Sequence, residues 1–120
     1  MKIIDIENFD NFKNILENNN EFIINISASW CKPCQNMKND LETFVNNYNS
    51  DLYFLKLDYD IYEEDDDFFE YFTIKKVPTF IYFKGKSNSN EIISSDINIV
   101  KNFIIDNISE NNELNIDENF

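Results

Sequence analysis

Two cysteines, Cys31 and Cys34, stand three residues apart in Trp30-Cys31-Lys32-Pro33-Cys34, directly after the apolar run Phe22-Ile23-Ile24-Asn25-Ile26. An amphipathic stretch follows them, so both sit where a strand hands over to a helix. The first thiol of such a pair meets unpaired backbone N–H groups and the positive end of the helix dipole, and both favour thiolate over thiol. The second thiol lies one helical turn on, within the roughly 4.4–6.8 Å Cα separation that a disulfide needs. The pair can therefore open and close with little backbone motion, and thiol–disulfide exchange is the chemistry to expect. A pair of inert helix-start cysteines is the plain alternative. Zinc is a poor match: there is no histidine in the chain, so two thiols cannot complete a four-ligand site in one protomer, although a dimer could share one.

The flanking pattern supplies the elements that would hold the pair. Ile3–Ile6 reads as a short strand, and Phe9, Phe12, Ile15 and Leu16 recur at helical spacing. Phe22–Ile26 is short, apolar and β-branched, as suits a central strand covered on both faces, with Asn25 its one polar member. From about Pro33 to Tyr48, Met37, Leu41, Phe44, Val45 and Tyr48 fall on one helical face. Leu52–Leu57 is a second buried strand, which completes a parallel βαβ unit with a right-handed crossover. Glu63-Glu64-Asp65-Asp66-Asp67 precedes Phe68, Phe69 and Phe72, and predicts a short helix whose acidic first turn matches its dipole. A calcium loop is the sharper reading of those acids, but they lack the ligand spacing and the glycine of an EF-hand. Thr79–Phe83 is a third core strand, turned through Lys84-Gly85-Lys86 and a polar loop into Glu91-Ile92-Ile93. A last helix carries Ile97, Val100, Ile104 and Ile108, with Asp96 as its candidate cap. Residues 109–120 are acidic and weakly patterned, which predicts a frayed helix end or a flexible tail.

Composition narrows the function further. One domain with one real core fits a chain of 120 residues that is 42% apolar and 16% aromatic. A net charge of −13 argues against nucleic acid and against anionic membrane surfaces. No apolar stretch approaches the roughly 18 residues of a membrane span, and the start lacks a signal-peptide pattern. A reducing, cytoplasmic setting is the resulting expectation, since two cysteines cannot staple a secreted scaffold. The heavy use of asparagine and isoleucine reads as nucleotide bias, and Asn18-Asn19-Asn20 reads as a loop.

The order βαβαβαββα, with Trp-Cys-x-Pro-Cys opening the second helix and Val77-Pro78-Thr79 entering a later strand, resembles the thioredoxin family over roughly residues 1–108. That resemblance implies an α/β thioredoxin fold, a central mixed sheet flanked by helices on both faces. It implies Cys31 as the exposed nucleophile and Cys34 as the buried resolving thiol, which form a redox disulfide. Lys32 adds a positive charge beside the Cys31 thiolate, and Pro33 sits in the first helical turn, where a missing N–H costs nothing. Val77-Pro78 is similar to the family's cis-proline turn, and Trp30, Tyr59, Lys76, Val77 and Pro78 match positions bordering its substrate groove. The implied partners are protein disulfides and a thioredoxin-reductase-like electron donor. No cofactor and no metal are implied, and a monomer is the expected state.

Two departures bear on mechanism. The family's buried aspartate is matched by Asn25, and its lysine on the next strand by Lys56. An asparagine cannot take a proton, so Cys34 attack should be slow below about neutral pH. Without a buried anion nearby, Cys31 should be more acidic. The pair's potential should then lie above the roughly −270 mV of thioredoxin, toward an isomerase value near −180 mV. The second departure is glycine: Lys76, and Ser94 or Ser95, stand where the family usually has it, which alters the expected groove. Two other readings follow. One is an oxidase or isomerase of the same fold; the other is a non-catalytic interaction module docking a basic partner on the acidic face from Asp58 to Glu70. A glutaredoxin fits poorly, because near the motif only Lys32 and Lys76 could meet the carboxylates of glutathione.

Overall fold

A computed structural model describes the backbone of residues 1–85 and 87–117 and, outside 87–89 and 110–117, their side chains. Five strands run β1 (Lys2–Asp5), β2 (Glu21–Ser27), β3 (Tyr53–Asp58), β4 (Thr79–Lys84) and β5 (Ser87–Ile93). The helices are α1 (Phe9–Asn18), α2 (Lys32–Asn47), α3 (Tyr59–Glu64) and α4 (Ile97–Asp117), and a 3-10 helix covers Asp66–Glu70. The sheet order is β1-β3-β2-β4-β5, with β1 and β2 parallel to β3 and with β4 antiparallel to both β2 and β5. The mixed α/β sheet that the resemblance implies is the one observed.

β2 lies at the centre because its side chains can be buried on both faces. Phe22, Ile23, Ile24 and Ile26 are fully buried, and Asn25 is only 3% exposed. Alternation along β2 divides the core. Phe22, Ile24 and Ile26 join α1, α3 and the 3-10 helix on one face, while Ile23 joins α2 and α4 on the other. The first face is aromatic: Phe12 is fully buried and has the rings of Phe9, Phe22, Phe68, Tyr71, Phe72 and Phe83 at 5.6–6.4 Å. Such tilted and edge-on pairs each add about 0.5–1.5 kcal/mol beyond the area they bury. The second face takes Met37, Leu41 and Val45 from α2 and Val100, Phe103, Ile104 and Ile108 from α4. The α2 stripe is the one that its helical spacing predicts.

Most elements fall within a residue or so of the sequence pattern, and the first strand, the acidic run and the last hairpin differ from it. The first strand is Lys2–Asp5 rather than Ile3–Ile6, although the Ile6 N–H still donates to the Lys56 carbonyl at 2.8 Å. The single acidic helix expected to begin at Glu63 is two pieces. α3 starts earlier, capped by Asp58, and breaks at Asp65, whose extended backbone and carboxylate cap the 3-10 helix through the Asp67 N–H at 3.0 Å. Aspartate favours caps over helix interiors, and neighbouring like charges on one face repel, so five acids in a row do not propagate one helix. The polar loop expected before Glu91 belongs to β5, whose backbone pairs with β4 from Ser87 onward. Gly85 sits at φ +75°, which supplies the left-handed turn residue of that hairpin, while Lys86 lies outside the described residues. α4 is capped by Asp96, which accepts from the Asn98 N–H at 2.9 Å, and its backbone continues to Asp117. The tail expected over 109–120 concerns side chains that, beyond Ser109, lie outside those described.

Candidate functional site

β2 ends at Ser27, and the chain turns through Ala28 before α2 begins at Lys32. The Ala28 carbonyl holds that turn, accepting from the Cys31 N–H at 3.1 Å and from the Gln35 side-chain amide at 2.9 Å. Cys31 is the N-cap of α2, and its Sγ accepts the backbone N–H of Cys34 at 3.3 Å. This is the helix-terminus environment that favours a thiolate. Pro33 follows within the first turn, where no intrahelical acceptor awaits its missing N–H. Cys31 and Cys34 form a disulfide with Cα atoms 5.3 Å apart. The expected contrast between an exposed and a buried thiol is absent from this oxidised pair, in which the two residues are 7% and 5% exposed. Both cysteines cluster with Ala28, and Tyr59 and Val77 pack against them. Lys32 is exposed beside them.

The wall facing the disulfide comes from the segment before β4. The Val77–Pro78 peptide bond is cis. The Thr79 hydroxyl donates to the Lys76 carbonyl at 2.5 Å across that bond, which fixes the turn. Pro78 is buried, Val77 half-buried and Lys76 exposed. Farther back, the Tyr62 hydroxyl accepts the Ile74 N–H at 3.0 Å and donates to the Phe72 carbonyl at 3.2 Å, so α3 anchors the loop that leads to Lys76. Burial pushes the Tyr62 phenol above its usual pKa, against the opposing effect of the Ile74 N–H. On the open side Trp30 is 62% exposed, its ring edge-on to Tyr59 at 6.1 Å and its indole N–H donating to an Asp60 carboxylate oxygen at 3.3 Å. Thus Trp30, Tyr59, Val77 and Pro78 gather around the disulfide, with Lys76 at the surface beside them.

Beneath the disulfide, Asn25 donates through Nδ2 to the Thr79 carbonyl at 3.2 Å and so links β2 to the cis-proline strand. Lys56 is its register partner on β3. Lys56 forms an ion pair with Glu42 of α2, both side chains partly exposed. A cavity of about 280 Å³ opens among these groups, with Asn25, Cys34, Glu42, Lys56, Asp58 and Pro78 in its wall. Glu42, Gln35, Asp60 and Tyr62 make contacts around this site that motif reasoning did not assign. A signal existed for Glu42 alone, which follows Cys34 by eight positions on the same predicted helix and so lies little more than two turns along it.

A five-stranded mixed sheet, a disulfide at the start of α2 and a facing cis-proline define the thioredoxin-fold class of Cys-x-x-Cys proteins. The thioredoxin family model matches residues 3–109. Thioredoxin H2 of Arabidopsis thaliana is 32% identical over 84 residues, which cover 70% of this chain and 60% of that protein. Mitochondrial thioredoxin-3 of Saccharomyces cerevisiae is 29% identical over 94 residues, covering 78% of this chain and 71% of that protein. The crystal structure of that yeast protein in its oxidised form aligns with a TM-score of 0.70 at 27% identity, over 87% of this chain and 94% of its own. Schistosoma mansoni thioredoxin aligns at 0.72 and 26%, over 86% and 93%. This chain belongs to the thioredoxin family.

Proposed function

We propose that the chain is a thiol–disulfide oxidoreductase of thioredoxin type that reduces protein disulfides. Cys31 as thiolate attacks one sulfur of the target, the target's disulfide breaks, and its other sulfur leaves as thiol. Cys34 then attacks Cys31 in the mixed disulfide, which closes the Cys31–Cys34 bond and releases the second target thiol. The observation that carries this reading is the Cys31 Sγ at the N-terminus of α2, accepting the Cys34 N–H at 3.3 Å. Backbone N–H groups and the helix dipole stabilise the attacking thiolate there without any other cation, and exposed Lys32 adds to the effect. Trp30, Tyr59, Lys76, Val77 and Pro78 form the substrate-contacting rim, and the cis-proline turn leaves the Val77 backbone free to pair with an extended peptide. Asn25, Pro33 and Lys56 support the pair from within the fold.

The catalytic domain in this proposal spans residues 1–108, close to the matched 3–109, and 109–120 is an accessory acidic segment. A thioredoxin-reductase-like donor regenerates the dithiol, and a monomer in a reducing compartment, cytoplasmic by the sequence reading, does the work. Among the described residues no helix is long and apolar enough to cross a membrane. The buried Asn25 favours a second reading of the same site, an isomerase or oxidase, since the missing carboxylate favours the reduced dithiol. Turbidimetric reduction of insulin, driven by dithiothreitol, tests the first reading. The wild type should accelerate it and Cys31→Ser should not; a wild type that gives no acceleration would leave the interaction module as the better account.

A further inference from the structure

We propose that Glu42 accepts, through water, the proton that Cys34 sheds when it resolves the mixed disulfide. This rests on the oxidoreductase reading above. The step itself balances: the Cys34 S–H bond breaks, its electron pair forms the bond to Cys31 Sγ, and the Cys31–target bond breaks with its pair on the target sulfur. In this step Cys34 is oxidised and the target sulfur reduced, while Cys31 passes from one disulfide to another. The proton from Cys34 needs a base on the inner side of the pair, because the residue is only 5% exposed.

Asn25, the polar side chain on β2 beneath the pair, cannot be that base. Its amide accepts no proton, and its Nδ2 is committed to the Thr79 carbonyl. The cavity wall holds five charged side chains, Asp5, Lys38, Glu42, Lys56 and Asp58. Lys38 and Lys56 are cations and can only repel a proton. Asp5 lies on β1, opposite Lys56 on the side away from β2 and Asn25. Asp58 spends an oxygen capping α3 through the Asp60 N–H at 2.8 Å. Glu42 differs from the two aspartates in being on the helix of Cys34 itself. Side chains on a helix lean toward its N-terminus, so the Glu42 carboxylate leans toward Cys34. Lys56 holds it there by an ion pair from the strand position directly opposite Asn25. The helical rise separates the two Cα atoms by roughly 12 Å, too far for direct transfer. The cavity of about 280 Å³ bridges this gap, since a water requires only about 10–15 Å³ of such space and several polar partners line it. In this chain the carboxylate that serves the resolving thiol is thus displaced from the sheet onto the helix, with Lys56 kept as its partner.

Dithiobis(nitrobenzoate) separates the two steps. Reduced protein mixed with a stoichiometric amount should release thionitrobenzoate once as Cys31 attacks and once more as Cys34 resolves. Glu42→Gln should leave the first release unchanged and slow the second by at least about tenfold near pH 6. The deficit should shrink toward about pH 9, where a cysteine thiol ionises unaided. Glu42→Asp should recover part of the rate. Lys56→Gln keeps the acceptor but frees its anchor; it should give a smaller deficit with the same pH trend, and it serves if Glu42→Gln does not fold. A second release at the wild-type rate in Glu42→Gln at every pH overturns the assignment, as does a slowing that is the same at every pH. Wild-type protein that never gives the second release overturns the oxidoreductase reading itself.

Discussion

Replacing Asn25 by aspartate places a carboxyl where the residue is 3% exposed, and the cost can be worked through. Full burial lifts a carboxyl by about three pH units or more above its usual value near 4, unless an opposite charge intervenes. Three units at 1.36 kcal/mol each amount to about 4 kcal/mol of stability lost once the group must ionise. Lys56, opposite in the register, reduces that figure to the extent that it leaves Glu42 for the new charge. Because the folded-state pKa of the introduced carboxyl is raised, the protonated form is bound more tightly by the native state. Its destabilisation is therefore small at about pH 4, grows between about pH 4 and pH 7, and levels off above. At the acid end the protonated carboxyl can still donate to the Thr79 carbonyl in place of Nδ2; ionised, it presents a charge to that carbonyl, and the acceptor loses its partner. Urea denaturation of the oxidised Asn25→Asp and wild-type proteins across this pH range measures the difference. A difference that does not change with pH would refute the reasoning, because it would mean that the introduced carboxyl is solvated or fully paired in the native state. The same variant should resolve mixed disulfides faster than wild type near and above about pH 7, where the introduced carboxyl ionises and a second base then serves Cys34.

Other outcomes follow from the same geometry. Cys34→Ser should trap Cys31 in a covalent adduct with a disulfide substrate, detectable by mass spectrometry and released by dithiothreitol, because the resolving sulfur is gone. Tyr62→Phe leaves the Ile74 N–H and the Phe72 carbonyl without their shared partner and should cost about 1–3 kcal/mol in urea titrations. The raised Tyr62 pKa has its own pH signature: its stabilisation is complete below about pH 10 and is lost as pH rises through the folded-state value. Tyr62→Phe should therefore lessen the alkaline decline in thermal stability relative to wild type. Phe12→Ala removes a fully buried ring at the centre of an aromatic cluster and should cost about 3–5 kcal/mol at equilibrium. The Cys31–Cys34 potential, read by trapping free thiols in glutathione buffers, should lie above roughly −270 mV if the lost carboxylate dominates.

How much of this was legible in the residues depends on whether a feature was local. The α2 stripe, the β-branched run of β2 and the Cys31–Cys34 junction all follow from periods that one segment carries by itself, and the observed elements match them closely. The acidic run was misread because composition announces a helix start but not where aspartate, as a cap, will interrupt one. β5 was misread for the opposite reason. Ser87–Asn90 has no strand pattern of its own and is extended because β4 offers it a pairing edge, with register shifts at Tyr82 and Phe83 absorbing the mismatch.

The site divides along the same line. A motif can name Cys31, Cys34 and Pro78, and a resemblance can point to Asn25 and Lys56, but neither says what a lysine does after its customary carboxylate is lost. A partly buried cation still needs a counter-charge; among the described residues three acids lie near it in the fold, Asp5, Glu42 and Asp58, and Glu42 is the one ion-paired with it. Asp58 is drawn off by the N-terminus of α3, whose Asp60 N–H it accepts, so Glu42 takes Lys56. The substitution at position 25 and the ion pair on α2 are in this view one change seen at two places. They should accordingly be non-additive: introducing Asn25→Asp should shrink the penalty of Glu42→Gln on mixed-disulfide resolution, and a double-mutant cycle at about pH 7.5, where the introduced carboxyl is ionised, measures that coupling. Full additivity would separate the two sites and leave Glu42–Lys56 as a surface pair worth no more than about 1 kcal/mol.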